Sequence, residues 1–146
     1  MRERVVSLVL LIPAVAWAVD VLPRSIAERA RLSQRVALVQ VIERRSEPQG
    51  RSLKTYTRVV VGEDLKGSGP SEVTIVQLGG RLGEWEAHVA GDATFEVGET
   101  AVVFLRCREP RRCTLVGLGE GKLAIDRTGA AYRDLEEVLA ELRVAR

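Results

Sequence analysis

Apolar residues in this chain fall into short runs separated by glycine-rich or charged turns, and one run organises the others. Gly91–Cys107 (GDATFEVGETAVVFLRC) reads as a turn, an aromatic anchor at Phe95, a tight Gly98-Glu99 turn and a strand over Thr100–Arg106. That strand carries no charge before its last residue, which predicts a central place in a β-sheet. Phe95 and Val97 are expected to face inward.

Strands are predicted on either side of it. Arg35–Glu43 (RVALVQVIE) is almost wholly β-branched and aliphatic, and too short to favour a helix. A charged stretch then ends in a Gln49-Gly50 turn. Leu53–Asp64 returns as a second strand, with Thr55, Thr57, Val59 and Val61 on one face, completing a hairpin. Glu72–Leu78 is a third strand, broken by Gly79-Gly80 and Gly83. Trp85–Val89 reads as a short strand carrying His88. After the central strand, Cys113–Val116 and Lys122–Asp126 are separated by Gly117-Leu-Gly-Glu-Gly121, and a turn leads to a short run at Ala130–Tyr132.

Two segments switch to helical spacing. Ser25 and Glu28 fit a capping box opening a helix over Ile26–Leu32, with Ile26, Ala30 and Leu32 toward the core. Leu135, Val138, Leu139 and Leu142 form one apolar stripe in a helix over 134–144, capped by Asp134. Many short strands, glycine corners and few helices predict a mainly-β fold. The expected form is a small antiparallel five-stranded barrel of the oligonucleotide/oligosaccharide-binding (OB) type, with a short N-terminal and an amphipathic C-terminal helix; a sandwich is the alternative. The barrel core is expected within 32–126, in a single domain over 19–146.

The N-terminus changes the picture of where the chain works. Met1–Arg4 is a short basic segment, Val5–Val15 is apolar apart from Ser7, and Ala16-Trp17-Ala18 has the small-x-small pattern of a cleavage site. This predicts a secretory signal over 1–18, cut after Ala18, and hence a secreted or periplasmic protein. The apolar run is shorter than the roughly 20 residues needed to cross a bilayer. The formal charge of the whole chain is +2. A dedicated nucleic-acid binder would show a concentrated basic face instead, so no nucleic-acid partner is expected.

The chain has two cysteines, Cys107 and Cys113. They flank a polar, proline-containing loop between two apolar runs, and export makes a disulfide the expected state. The alternatives are a redox pair or metal ligands; C-x5-C is neither C-x2-C spacing nor near a further Cys or His.

Motifs for chemistry are sparse. The glycines of 117–121 before Lys122 fail the spacing of both phosphate-binding motifs. His88 is the chain's single histidine. On a strand it would share a face with Glu84 and Glu86, the one carboxylate–imidazole grouping available for a metal or a hydrolytic site. No nucleophile elbow occurs. Arg108, Arg111 and Arg112, with Arg106, make a basic hairpin tip suited to an acidic partner or, equally, to protecting an edge from unwanted pairing.

The run of a strand into Leu65-Lys66-Gly67, then Val73–Val76 with Gly79-Gly80, then Gly91, Phe95 and Gly98-Glu99, Val102–Leu105 and Gly117 to Gly121-Lys122 resembles a group of uncharacterised secreted bacterial proteins. Their architecture is similar to the netrin-like module of tissue inhibitors of metalloproteinases, itself an OB-type barrel. In those inhibitors an N-terminal cysteine of the mature chain reaches the protease zinc. Here no cysteine precedes Cys107, so that mechanism is not implied. The expected function is an exported, non-catalytic, monomeric binding module, without cofactor or metal, that contacts an envelope or extracellular protein or glycan. Its candidate surfaces are Arg108, Arg111 and Arg112 and the Glu84, Glu86 and His88 face. A netrin-like protease inhibitor and a metal-dependent hydrolase at His88 are the alternatives.

Overall fold

The computed structural model describes residues 22–125 and 136–142. The elements are α1 (Ile26–Leu32), β1 (Arg35–Gln49), β2 (Ser52–Lys66), β3 (Glu72–Leu78), β4 (Gly80–Leu82), β5 (Trp85–Ala87), β6 (Thr100–Glu109), β7 (Arg112–Leu115), a 3-10 turn (Leu118–Gly121), β8 (Lys122–Ala124) and a helical segment at 136–142, here α2. The expected signal segment, the Ala130–Tyr132 run and the Asp134 cap lie outside the described residues.

β1 and β2 form a long hairpin that turns at Gly50, pairing from Val36↔Lys66 to Gln49↔Ser52. Both strands exceed their expected lengths. Residues 43–49 are polar, yet their backbone pairs with 52–58, and Arg58 bridges Glu43 on β1 and Glu72 on β3 across the outer face. Three register shifts, the last between Val41 and Glu43, bend β1. The bend lets its first half serve two neighbours: Val36–Gln40 pairs with β6 as well as with β2.

That second pairing closes the barrel. The ring runs β1-β2-β3-β7-β6 and back to β1. Four of its contacts are antiparallel and one, β3 with β7, is parallel. The expectation of a purely antiparallel barrel is therefore corrected, and the reason is parity. Strand directions cannot alternate all the way round a closed ring of five, so one neighbouring pair must run the same way. β8 follows β7 along one edge of β6, opposite the edge taken by β1.

Two apolar clusters result. Inside the barrel, Ala37, Val39 and Val41 of β1 meet Val59, Val73, Ile75, Val103, Leu105, Cys113 and Phe95. Outside it, Val36, Val102 and Phe104 face Ala30 of α1, Leu65, Val116, and Val138 and Leu142 of α2. Successive residues of β6 thus belong to different cores, which is why Ala101–Leu105 is buried throughout and reads as an unbroken apolar run. The C-terminal stripe does what its spacing predicts at Val138 and Leu142.

α1 is opened by the reciprocal Ser25–Glu28 capping box and closed by a cation: Lys66 Nζ donates to the carbonyls of Ala30 (2.6 Å) and Ser33 (2.7 Å). Leu32, expected on the core, is 39% exposed. Phe95 is buried as expected, but Val97 is 64% exposed. Residues 93–99 are not a strand, so the alternation that would have put Val97 beside Phe95 does not operate there. Phe95 plugs the barrel from a loop, beneath Lys122, whose Nζ lies 4.9 Å from the ring centroid and pairs with Glu99.

Candidate functional site

Two surfaces gather polar groups, toward opposite ends of β3. The first is the tip of the β6–β7 hairpin. Cys107 and Cys113 face each other across the ladder with Cα atoms 4.0 Å apart and are bonded. The Cys107 N–H points away from β7, where β1 has not yet begun, and the side-chain carbonyl of Gln34 accepts it at 2.6 Å. Cys113 is buried in the barrel core. One side of the tip is therefore anchored in the interior, and the other rests on β3, where Thr74 N–H donates to the Arg111 carbonyl at 2.8 Å.

Arg108, Arg111 and Arg112 project from this stapled loop, all exposed. Their guanidinium groups have no ion-pair or hydrogen-bond partner among the described residues. Several arginines elsewhere are paired: Arg24 with Glu120, Arg35 with Asp64, Arg45 with Glu47, and Arg58 with Glu43 and Glu72. Arg106, grouped with the tip in the sequence, turns back instead and donates from Nε to the Leu32 carbonyl at 2.9 Å, tying β6 to the end of α1.

The second surface is a cleft of about 220 Å³ at the barrel mouth, roofed by the β4–β5 hairpin and by Asp92–Thr94. Its floor follows from alternation along three strands. The inward positions of β1, β2 and β3 are apolar through Val41, Val59 and Ile75, and become polar one step on. Arg44 pairs across from Thr57, Ser46 from Thr55, and Thr55 from Gln77. Ser46 and Thr55 share a hydrogen bond (2.9 Å), and Thr55 Oγ1 donates to the Gly79 carbonyl (2.8 Å). Gln77 Nε2 donates to Asp92 Oδ1 (3.0 Å) and to the Ala93 carbonyl (2.7 Å). This network clamps the roof onto the floor. Gly80, at φ +138°, is part of the clamp: a Cβ there would collide with the Thr55 and Ser46 hydroxyls.

The carboxylate–imidazole grouping is dispersed. β5 spans only Trp85–Ala87, shorter than the Trp85–Val89 strand the sequence suggests, so period-two alternation does not extend across Glu84, Glu86 and His88. Glu84 stands in the turn before β5 and outside the cleft, whereas Glu86 and His88 line it. Among the described residues no group of three or more His, Cys, Asp or Glu side chains is placed to hold a metal ion.

Sequence reasoning missed Arg44 and Gln77. The signal for the polar floor was present in part, since Thr55 and Thr57 sit on the same face as Val59. Arg44 was hidden by the bulge after Val41, which changes the face that a simple count assigns to it. No protein-family model matches the chain, and no curated protein matches it either.

Proposed function

We propose that this protein is an exported binding module that engages an anionic partner of the cell envelope or its surroundings, protein or glycan, through the stapled Arg108–Arg112 tip. The observation that carries this reading is the clustering of unpaired arginines. Arg24, Arg35, Arg45 and Arg58 are paired with carboxylates, while three arginines stand together without one on a single disulfide-closed loop. The disulfide constrains the loop backbone that carries these exposed cations, which lowers part of the ordering cost of binding a complementary anion, and guanidinium forks suit carboxylate, sulfate or phosphate groups.

Several further properties belong to the same proposal. The chain is a single barrel domain released from its signal segment after Ala18. A disulfide and the absence, among the described residues, of a helix able to cross a membrane are both compatible with export. The barrel is of OB type: its ring order, with the third and last ring strands parallel, supports this. A netrin-like inhibitor role draws support from barrel shape alone, and with Cys107 bonded to Cys113 both of the chain's cysteines are already used.

The test is affinity capture from envelope extract with the purified disulfide-bonded protein, beside an Arg108→Ala/Arg111→Ala/Arg112→Ala variant. The proposal expects a partner that is retained by the first, lost by the second, and released by moderate salt. A partner held equally by both would place the interaction elsewhere and sink the reading.

A further inference from the structure

We infer that the cleft at the barrel mouth is a second, separate binding site, for a small ligand carrying a carboxylate beside hydroxyl groups, the chemistry of a uronic acid either free or at the end of a glycan. The inference does not depend on the arginine tip.

Three observations converge on it. First, a barrel this small fills its interior with side chains, and here the apolar filling stops short. At the mouth, three neighbouring strands turn polar residues inward, at Arg44, Thr55 and Gln77, and the β4–β5 roof is clamped over them without closing the space. The remaining volume is about seven waters' worth at roughly 30 Å³ each, suited to one sugar-sized group.

Second, the charged groups of the lining do not pair with one another. Arg44 lines the cleft and donates from Nη1 to the Phe95 carbonyl at 3.3 Å; it and Arg81, also in the lining, are in no ion pair among the described residues. Of the two carboxylates that line the same space, Asp92 accepts on Oδ1 from both Gln77 and the Ala93 N–H. Glu86 is exposed, at the rim. An anion entering the cleft therefore meets a guanidinium with donors to spare, oriented by the one bond it makes.

Third, Thr57 is fully buried directly across the ladder from Arg44, and its hydroxyl has no hydrogen-bond partner among the described residues. Leaving a buried hydroxyl unpaired is costly; Thr57 stands outside the cleft lining and marks where the inward face of β2 turns polar beside Arg44. Thr94 and His88 in the walls, with Asp92, supply acceptors and donors for hydroxyl groups.

The test is an amide NMR titration of the purified, disulfide-bonded protein with glucuronate, with glucose, which lacks the carboxylate, and with alanine, which has a carboxylate but no hydroxyls. A glucuronate-capped oligosaccharide forms a fourth arm. The proposal expects saturable shifts at Gly79, Gly80, Ala93 and Thr94 with glucuronate, at least tenfold weaker binding of glucose and alanine, and at least tenfold weakening by Arg44→Gln. Tighter binding of the oligosaccharide than of the monosaccharide would identify the chain end as the source, and the converse the free sugar. The same spectra report whether Arg44→Gln remains folded; should it unfold, Asp92→Asn, which keeps an acceptor for Gln77 and removes a like charge from the lining, is expected to strengthen glucuronate severalfold and leave glucose unchanged, and equal effects on the two sugars would overturn the inference. No shifts with glucuronate, shifts that Arg44→Gln leaves unchanged, or equal binding of alanine would overturn the inference.

Discussion

Arg35 offers the sharpest test of how this fold is held. It starts β1, its side chain is 4% exposed, and it makes a fork to Asp64 on β2: Nε to Oδ1 at 2.6 Å and Nη2 to Oδ2 at 3.2 Å. Its third nitrogen, Nη1, donates to the Pro70 carbonyl at 3.0 Å and so ties down the β2–β3 loop. Gly69 passes so close that a Cβ there would stand 2.6 Å from Nη1. The pair is asymmetric, because the Asp64 side chain is 29% exposed. Asp64→Asn keeps the shape but leaves a buried guanidinium facing a neutral amide. Breaking a buried pair in this way costs about 3–5 kcal/mol. Water reaching the Asp64 side lowers this, so we expect about 2–3 kcal/mol. Arg35→Met leaves the charge on the partner that water can solvate, and fills most of the space, so about 1–2 kcal/mol is expected. The order is therefore the prediction: Asp64→Asn is worse than Arg35→Met. Urea unfolding measures it. With a slope of about 1.5 kcal/mol/M, Asp64→Asn should lower the midpoint by about 1.3–2 M, against under about 0.3 M for the neighbouring exposed Glu63→Gln. An Asp64→Asn midpoint equal to that of Glu63→Gln, or a reversed order of the two variants, would refute the reasoning.

The other expectations are quickly stated. Replacing Cys107 and Cys113 by Ser should cost about 2 kcal/mol, the loop-closure entropy for a separation of six residues, read as a lower urea midpoint; no change would mean the ladder alone holds the tip. Gly80→Ala should destabilise by at least about 2 kcal/mol through backbone strain and collision, and should perturb the amide signals of the cleft before those of the hairpin tip. Phe95→Ala should cost about 3–5 kcal/mol, and a value under 1 in thermal or urea unfolding would deny that Phe95 plugs the barrel. Expressed with its own N-terminus in a secreting bacterial host, the protein should have an intact mass beginning at Val19; retention of residues 1–18 would remove the export proposal.

What the sequence made legible was whatever depends on local order. The alternation along 55–61 predicts Thr55, Thr57, Val59 and Val61 on one face of β2; the first three are buried, and Val61 is half-buried against the barrel core. The polar loop between two cysteines predicts a bonded hairpin, and the Cys107–Cys113 bridge lies across one. Errors arise where a long-range partner decides. Residues 43–49 are too polar to announce a strand, and become one because β2 continues alongside them. The parallel β3–β7 contact is required by ring closure, a condition that no stretch of sequence states. Val97 is misplaced because the loop carrying Phe95 never adopts the strand on which alternation depends.

The same distinction explains why the two proposed surfaces differ in visibility. The arginine tip is contiguous in sequence, so its composition can be read directly. The cleft is assembled from β1, β2, β3 and the segment before β6, and each strand contributes one or two polar residues that look unremarkable alone. Their meeting depends on the bulge after Val41, which turns Arg44 to the inward side opposite Thr57. Without that shift the barrel mouth would keep its hydroxyls and amide but lose its cation. From Thr74 beside the tip to Gln77 in the cleft is three residues of β3, about 10 Å of strand. A glycan with acidic residues along its length could reach both surfaces of one molecule, whereas a compact anion could occupy only one. Competition on the unaltered protein separates these cases: glucuronate should weaken, without abolishing, the capture of a polymer that reaches both surfaces, and should leave a compact anion on the tip in place.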